Sequence, residues 1–252
     1  MDENQIIDQL YAIKNNEEYR NILMDIIIRK EIPESYPMSL RNRFYNSGYK
    51  SNSDLGFENF KFRDIYTTYC SWCMVSTGWI KALAKLLKGK NSIEIMAGRG
   101  LVSYALQQEG VDIKPSDNLS WGYNASPKYT EVLNADAVTA IKNAKDLDYV
   151  LCSWPPYEET DICDAIKVLA QKHPSAKLIY IGEDIGGCTG CTAMFDMLDV
   201  YEGKDSSIIE EANQYFTRFE EKHDYIYILK PNHKAKLWKK KNVLKEDDNY
   251  DD

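Results

Sequence analysis

The chain has 252 residues, of which 44% are hydrophobic, 12% aromatic and 28% charged, with a formal net charge of −8. That is enough apolar material for one large domain, or for one domain with an added N-terminal piece, while a mean hydropathy of −0.50 and the lack of any long apolar run argue against a membrane span. Six cysteines in a chain of this length are no disulfide scaffold, and together with the acidic, polar start Met1-Asp-Glu-Asn4 they predict a cytoplasmic protein rather than a secreted one.

Residues 3–30 are predicted helical. Ile6, Ile7, Leu10, Tyr11 and Ile13 form one apolar stripe and Ile22, Leu23, Ile26 and Ile27 another, with Asn15-Asn16 as a break and Pro33 and Pro37 ending the pattern. Residues 34–62 read as irregular. They carry Tyr36, Phe44, Tyr45, Tyr49, Phe57, Phe60 and Phe62, interleaved with Arg41, Arg43, Lys50 and Lys61 and followed by Arg63. Such interleaving can hold phosphates and stack bases; a loop pinned to the core by its aromatics is the plainer reading. A long helix is predicted over 64–88, with Ile65, Tyr69, Trp72, Val75, Trp79, Leu83 and Leu86 near one face.

The central stretch is Ser92–Gly100. Ile93, Ile95 and Met96 form a short apolar run that ends in the small-residue loop Ala97, Gly98, Gly100. A helical pattern follows through Leu101, Val102, Ala105 and Leu106, with Gly110 placed to cap it. Strand, glycine turn and helix make a nucleotide pocket, because glycines let a ligand approach the backbone and the helix start offers unpaired N–H groups. A second strand begins at Val111–Ile113 and ends at Asp117-Asn118. A third, Glu131–Leu133, leads to Asn134-Ala-Asp136 and a helix through Ala144. A fourth, Tyr149–Cys152, runs into Ser153-Trp154-Pro155-Pro156-Tyr157. A helix over 159–172 precedes a fifth strand, Lys177–Ile181, which ends in Gly182-Glu183. Then come the Gly186–Cys191 loop, helices over 192–201 and 206–219, and a terminal antiparallel hairpin of Tyr225–Leu229 and His233–Lys239. Alternating strands and helices predict an α/β fold with a mostly parallel sheet covered on both faces.

In open α/β sheets, ligands bind beyond the C-terminal strand ends. There the chain places Glu94 with the Gly98/Gly100 loop, Asp117, Asp136, the Ser153–Tyr157 stretch and Glu183. Asp117 is suited to accept two hydrogen bonds from a ribose, and Asp136 to accept from an exocyclic amine beside a backbone N–H.

This order resembles the class I S-adenosylmethionine-dependent methyltransferases over about residues 64–240. The combination of Ser153-Trp-Pro-Pro-Tyr157 with Tyr180-Ile-Gly-Glu183 and Gly186-Gly-Cys-Thr-Gly190 is also similar to an uncharacterised methyltransferase-like group. The resemblance implies a Rossmann-like methyltransferase sandwich over 64–241 with a C-terminal antiparallel hairpin; outside it lie a helical or irregular N-terminal extension over 1–63 and an acidic tail over 242–252 that is expected to be disordered. It implies S-adenosylmethionine as cofactor. Glu94, Ala97, Gly98 and Gly100 would serve its amino-acid part, Asp117-Asn118 the ribose, and Asp136 with Ala137 the adenine. Ser153, Trp154, Pro155, Pro156 and Tyr157 resemble the (Asp/Asn/Ser)-Pro-Pro-(Tyr/Phe/Trp) motif of amino methyltransferases, with Glu183 nearby to orient a donor or take a proton. Met96 stands where the family has its first glycine, and Trp154 stands at the motif's amine-gripping position, although indole has no acceptor for an amine.

The methyl acceptor expected from this is a nucleic-acid base or a small planar metabolite. Two rivals share the fold: a non-catalytic binder of S-adenosylmethionine or another nucleoside, and a NAD-dependent enzyme, for which Gly98-x-Gly100-x-x-Ser103 with Asp117 is a near match to the dinucleotide fingerprint. Glu183 reads equally as a carboxylate capping a loop. Cys70-x-x-Cys73 and Cys188-x-x-Cys191 have zinc-like spacing, but the first pair reads as helix packing and the second as part of a glycine-rich loop, so no metal is expected. Lys234, Lys236, Lys239, Lys240 and Lys241 read as a solvated edge rather than a nucleic-acid groove.

Overall fold

A computed structural model describes residues 3–40, 53–122, 128–219 and 222–239. Two short helices open the chain, α1 (Glu3–Leu10) and α2 (Glu17–Met24). The break between them is the expected one: the Asn16 side chain accepts the Tyr19 amide at 3.1 Å and caps α2. A π-helical turn over Asp25–Arg29 extends α2 and stops at Lys30, in the left-handed conformation at φ 58°.

Two longer helices follow, α3 (Ser53–Tyr69) and α4 (Thr77–Leu87). The expected single helix over 64–88 is therefore two, and the irregular stretch before it is helical from Ser53. Side chains stabilise the break at 70–76. The Tyr66 hydroxyl accepts the Val75 amide at 2.8 Å, and the Trp79 indole donates to the Met74 carbonyl at 3.0 Å. Backbone groups that a continuous helix would pair internally are satisfied here by buried aromatics. Cys70 and Cys73 thus lie in the turn and not within a helix, and Trp72 is 46% exposed.

The remaining elements alternate: β1 (Ser92–Ile95), α5 (Leu101–Gln108), β2 (Ile113–Asp117), β3 (Leu133–Asn134), α6 (Ala137–Asn143), β4 (Tyr149–Ser153), α7 (Asp161–Lys172), β5 (Lys177–Gly182), α8 (Thr192–Asp196), β6 (Leu198–Val200), α9 (Ser206–Tyr215), β7 (Tyr225–Pro231) and α10 (His233–Leu237). Gly110, at φ 80°, closes α5 as expected. The seven strands form one sheet in the order β3-β2-β1-β4-β5-β7-β6. The first five pair in parallel; β7 runs antiparallel to both β5 and β6. This is an α/β sheet of the mostly parallel, Rossmann-like kind that the sequence predicts.

The C-terminal antiparallel strand is present, but its second partner differs from the expected one. His233–Leu237 is helical, because Asn232 caps it by accepting the Lys234 amide at 2.9 Å. Its place beside β7 is taken by β6, within the stretch expected to be helical over 192–201. The third strand is shifted to Leu133–Asn134, and the second starts at Ile113 rather than Val111.

Alternate side chains of the strands serve the two faces. Tyr149, Leu151, Ile179 and Ile181 pack into a core with α4 and α5, while Val150, Cys152, Leu178 and Tyr180 pack into a second with α6 and α7. The N-terminal helices belong to the first core: Ile6, Tyr19 and Leu23 share it with Phe62 and Trp79. α3 itself runs across position 63/64. Arg41, Arg43, Phe44, Tyr45, Tyr49, Lys50, the segment 123–127 and the tail from 240 lie outside the described residues.

Candidate functional site

β1 is flanked by β2 on one side and β4 on the other, so the strand order reverses beside it and a crevice opens at the C-terminal strand ends. A cavity of about 620 Å³ lies there. That is within the range of small-ligand pockets, ~300–1,000 Å³. Its lining brings together nearly every residue expected from the sequence. Glu94, Ala97 and Gly98 come from β1 and its loop, and Asp117 and Asn118 from the end of β2. Asp136 and Ala137 come from the start of α6, and Ser153, Trp154, Pro155, Pro156 and Tyr157 from the turn after β4.

Gly100 and Glu183 are not among the lining residues. Gly100 sits at φ 74° at the entry to α5, and a Cβ there would meet Val132 Cγ2 at 2.9 Å, so it serves close packing. Glu183 is 5% exposed. It accepts the Cys188 amide at 2.8 Å, the Cys188 thiol at 2.7 Å and the His223 amide at 2.9 Å. Burial opposes its charge, but these hydrogen bonds outweigh burial and hold the carboxyl below its usual range. The geometry makes it the clasp of the Gly186–Cys191 loop.

Glu94 is 1% exposed. One oxygen accepts both the amide and the hydroxyl of Ser103, in the first turn of α5. Burial raises its pKa to about 7, against the lowering effect of Ser103. Asp117 ties the glycine loop to β2: its two oxygens accept the Gly98 amide at 2.8 Å and the Leu119 amide at 2.7 Å. Burial pushes this carboxyl up as well. Asp136 is the N-cap of α6, accepting the Thr139 amide at 2.8 Å and its hydroxyl at 2.7 Å, which holds its pKa down. By lone-pair count, each of these three carboxylates can still accept a further donor, although the Glu94 oxygen bonded twice to Ser103 cannot.

Two lining residues adopt the left-handed conformation that glycine favours, Met96 at φ 53° and Trp154 at φ 53°. For a side chain with a Cβ this costs about 1–2 kcal/mol. Met96 shows how the missing first glycine is accommodated: the loop keeps the glycine-like backbone despite the side chain. Trp154 donates its amide to Ile181 at 2.8 Å, stacks on Trp72 with ring centroids 5.9 Å apart and planes 18° apart, and donates its indole N–H to Asp224 at 3.2 Å. Asp224 is fully buried, and burial pushes it up to about 6.

Sequence reasoning missed Asp224, Trp72 and Arg99. Asp224 gives no periodic signal, because it precedes a strand far along the chain and meets Trp154 only through the fold. Trp72 reads as part of a helix face, and the serines near it, Ser71 and Ser76, are the available sign of a turn. Arg99 lines the cavity and donates to the Thr68 carbonyl, which joins the glycine loop to α3. The carboxylates at the lining, Glu94, Asp117, Asp136, Glu159, Asp161 and Asp164, outnumber its guanidiniums, Arg63 and Arg99. Among the described residues, no group of His, Cys, Asp and Glu is arranged to hold a metal ion, and no helix is long and apolar enough to cross a membrane.

No protein-family model matches the chain, and no curated protein matches it. Among solved structures it is similar to magnesium protoporphyrin IX methyltransferase (ChlM) from Synechocystis PCC 6803 with bound SAM, at 13% identity and a TM-score of 0.37, over 92% of this chain and 99% of that one. It is also similar to a SAM-dependent methyltransferase from Archaeoglobus fulgidus, at 13% identity and a TM-score of 0.35, over 62% of this chain and 94% of that one. The CcbJ methyltransferase from Streptomyces caelestis aligns at 12% identity and a TM-score of 0.36, over 62% of this chain and 95% of that one.

Proposed function

We propose that the chain is an S-adenosylmethionine-dependent methyltransferase acting on a small planar acceptor. The observation that carries this is the convergence of Glu94, Asp117, Asp136 and the Ser153–Tyr157 turn on one cavity at the switch point of the sheet. The donor set fits the ligand. A sulfonium cation with an amino group, a ribose diol and an exocyclic amine presents donors and positive charge, and the lining presents carboxylates. Asp117 would take the ribose, Asp136 and the Ala137 backbone the adenine, and Glu94 the amino-acid end. When bound, the sulfonium supplies an electrophilic methyl group.

The chain's own part is positioning, which supplies much of the acceleration in a displacement of this kind. Tyr157, 56% exposed at the cavity, offers a ring for a planar acceptor to stack on. The Trp154 N–H is engaged by Asp224, so that side chain forms a wall with Trp72 and does not grip an amine. Ser153 donates its hydroxyl to the Cys73 sulfur at 3.2 Å, which leaves its oxygen free to accept from an acceptor N–H or O–H.

The excess of carboxylates favours a small neutral or cationic acceptor over a nucleic acid, whose phosphates the same charges repel. It also disfavours NAD. In a dinucleotide site the glycine-loop amides meet the pyrophosphate, whereas here the Gly98 amide is held by Asp117.

Calorimetric titration with S-adenosylmethionine, S-adenosylhomocysteine and NAD tests the reading. The two sulfur nucleosides are expected to bind, NAD not, and Asp117→Ala to abolish binding. Binding of neither nucleoside by folded protein would overturn it. Binding without methyl transfer to any planar amine or hydroxyl would leave the non-catalytic binder in its place.

A further inference from the structure

A pair of thiols meets behind the turn that carries Tyr157. Cys163, on the buried face of α7, and Cys191, which opens α8, have sulfurs 3.4 Å apart. Cys163 is buried and Cys191 is partly exposed. Other thiols are engaged elsewhere. The Tyr129 hydroxyl meets Cys70 at 3.3 Å, the Ser153 hydroxyl meets Cys73 at 3.2 Å, and Cys188 lies between Glu183 at 2.7 Å and Lys222 at 3.1 Å.

We propose that Cys163 and Cys191 form a reversible disulfide that staples the Gly186–Cys191 loop to α7 and so restrains the Pro155–Glu158 turn of the cleft. A disulfide needs its sulfurs about 2.0 Å apart, so they must approach by little more than an ångström. Cys191 can make that approach, because it follows a loop and sits outside the sheet. Only Cys191 is reached from solvent, which sets the order of events. Its thiolate attacks one sulfur of a low-molecular-weight disulfide such as oxidised glutathione and expels one glutathione thiolate. Cys163 then gives up its proton and attacks the Cys191 sulfur, expelling the second glutathione as a thiol. The protein pair loses two electrons, and the oxidant is reduced to two thiols. The hydrogen bond from Cys163 supports this order, since it lowers the Cys191 pKa to about 6.

The consequence for the cleft follows from backbone hydrogen bonds. The Gly190 amide donates to the Pro155 carbonyl at 2.9 Å, and the Glu158 amide donates to the Gly190 carbonyl at 2.8 Å. Cys188, in the same loop, lines the cavity. A staple at Cys191 therefore restrains the turn that presents Tyr157. This inference does not depend on the ligand of the cleft.

The test equilibrates the full chain with mixtures of reduced and oxidised glutathione, blocks remaining thiols with N-ethylmaleimide, and maps peptides by mass spectrometry. The expected result is a cross-link between Cys163 and Cys191 with loss of two hydrogens from the intact mass. It is absent in Cys163→Ser and Cys191→Ser and retained in Cys188→Ser. Amide exchange at Glu158 and Gly190 slows several-fold on oxidation. Cys163→Ala serves in place of the buried serine variant if that one fails to fold. A glutathione adduct that persists on Cys191, a cross-link through Cys188, or unchanged exchange at Glu158 and Gly190 would each overturn the proposal.

Discussion

The indole N–H of Trp154 and the carboxylate of Asp224 meet at 3.2 Å across 70 residues of sequence, with Asp224 fully buried and its other oxygen without a hydrogen-bond partner among the described residues. Removing the indole and removing the charge should therefore act in opposite directions. Trp154→Phe leaves a buried carboxylate without its side-chain donor, and is expected to cost about 1–3 kcal/mol. Asp224→Asn keeps an acceptor for the indole and removes the buried charge. Burial raises this pKa from 3.8 to about 6, so the carboxyl's contribution to stability is full below pH 3.8 and is lost as pH rises through 6. Denaturant unfolding at pH 8 should show Trp154→Phe less stable than the parent and Asp224→Asn more stable. Two shifts of the same sign would contradict this arrangement.

Glu94 gives the second pH signature. Its pKa is raised from 4.5 to about 7 by burial, so folding favours the neutral form, and its contribution to stability declines as pH rises from 4.5 through 7. Glu94→Gln should match the parent near pH 4.5 and exceed it above pH 7, by as much as about 3 kcal/mol. The same variant should bind S-adenosylmethionine at least about tenfold more weakly, because the cation has lost a buried counter-charge. Thermal scans from pH 4.5 to 8, paired with titration calorimetry, measure both effects. A parallel pH dependence in variant and parent would show that Glu94 does not titrate there.

Gly100 and Gly89 separate backbone cost from packing cost. Both have positive φ, at 74° and 72°, but a Cβ at Gly100 would lie 2.9 Å from Val132 Cγ2 and 3.1 Å from Thr130 Cγ2, whereas one at Gly89 meets nothing within 4 Å. Gly89→Ala is expected to cost about 1–2 kcal/mol from backbone conformation alone. Gly100→Ala adds overpacking, of about 1–3 kcal/mol. Equal losses of stability in the two variants would show that Val132 and Thr130 move aside freely.

Tyr157 should affect activity without affecting stability. It is 56% exposed, so Tyr157→Ala should change unfolding by no more than about 0.5 kcal/mol. Loss of ring stacking on a planar acceptor, worth about 1–3 kcal/mol, should reduce methyl transfer about fivefold or more, while Tyr157→Phe retains it. Titration with S-adenosylhomocysteine should be unaffected by either change. If Tyr157→Ala transfers methyl groups at the parent rate, the acceptor is held elsewhere.

Local pattern carried the sequence reading a long way. The alternation of strand and helix from Ser92 to Gly182 predicted the parallel half of the sheet, and its strand ends predicted the cleft. Glu94 was legible because it lies within the first predicted strand, and Asp117, Asp136 and Ser153–Tyr157 because they stand at or just beyond the ends of the next three. Such placement is a local property of strand and loop. The apolar stripe over 64–88 was misread where helix propensity was overridden by side chains of the stretch itself. Its break at Cys70–Ser76 is stabilised by the buried side chains of Tyr66 and Trp79. At the C-terminus, one capping bond from Asn232 made a helix of a segment that reads as a strand.

What the sequence determined by itself was the order of elements from Ser92 to Gly182 and which residues stand at those strand ends, since periodicity and turn chemistry act over a few neighbours. Only the tertiary structure decided which of those residues share a surface. It placed Glu183 behind the Gly186–Cys191 loop instead of in the cleft, set Trp72 against Trp154, buried Asp224 beneath their indole wall and brought Cys163 to Cys191. Apart from the Glu183–Cys188 contact within one loop, these pairings join segments far apart in the sequence. Burial then sets their chemistry, because desolvation of a carboxylate depends on everything packed around it and not on its neighbours in sequence.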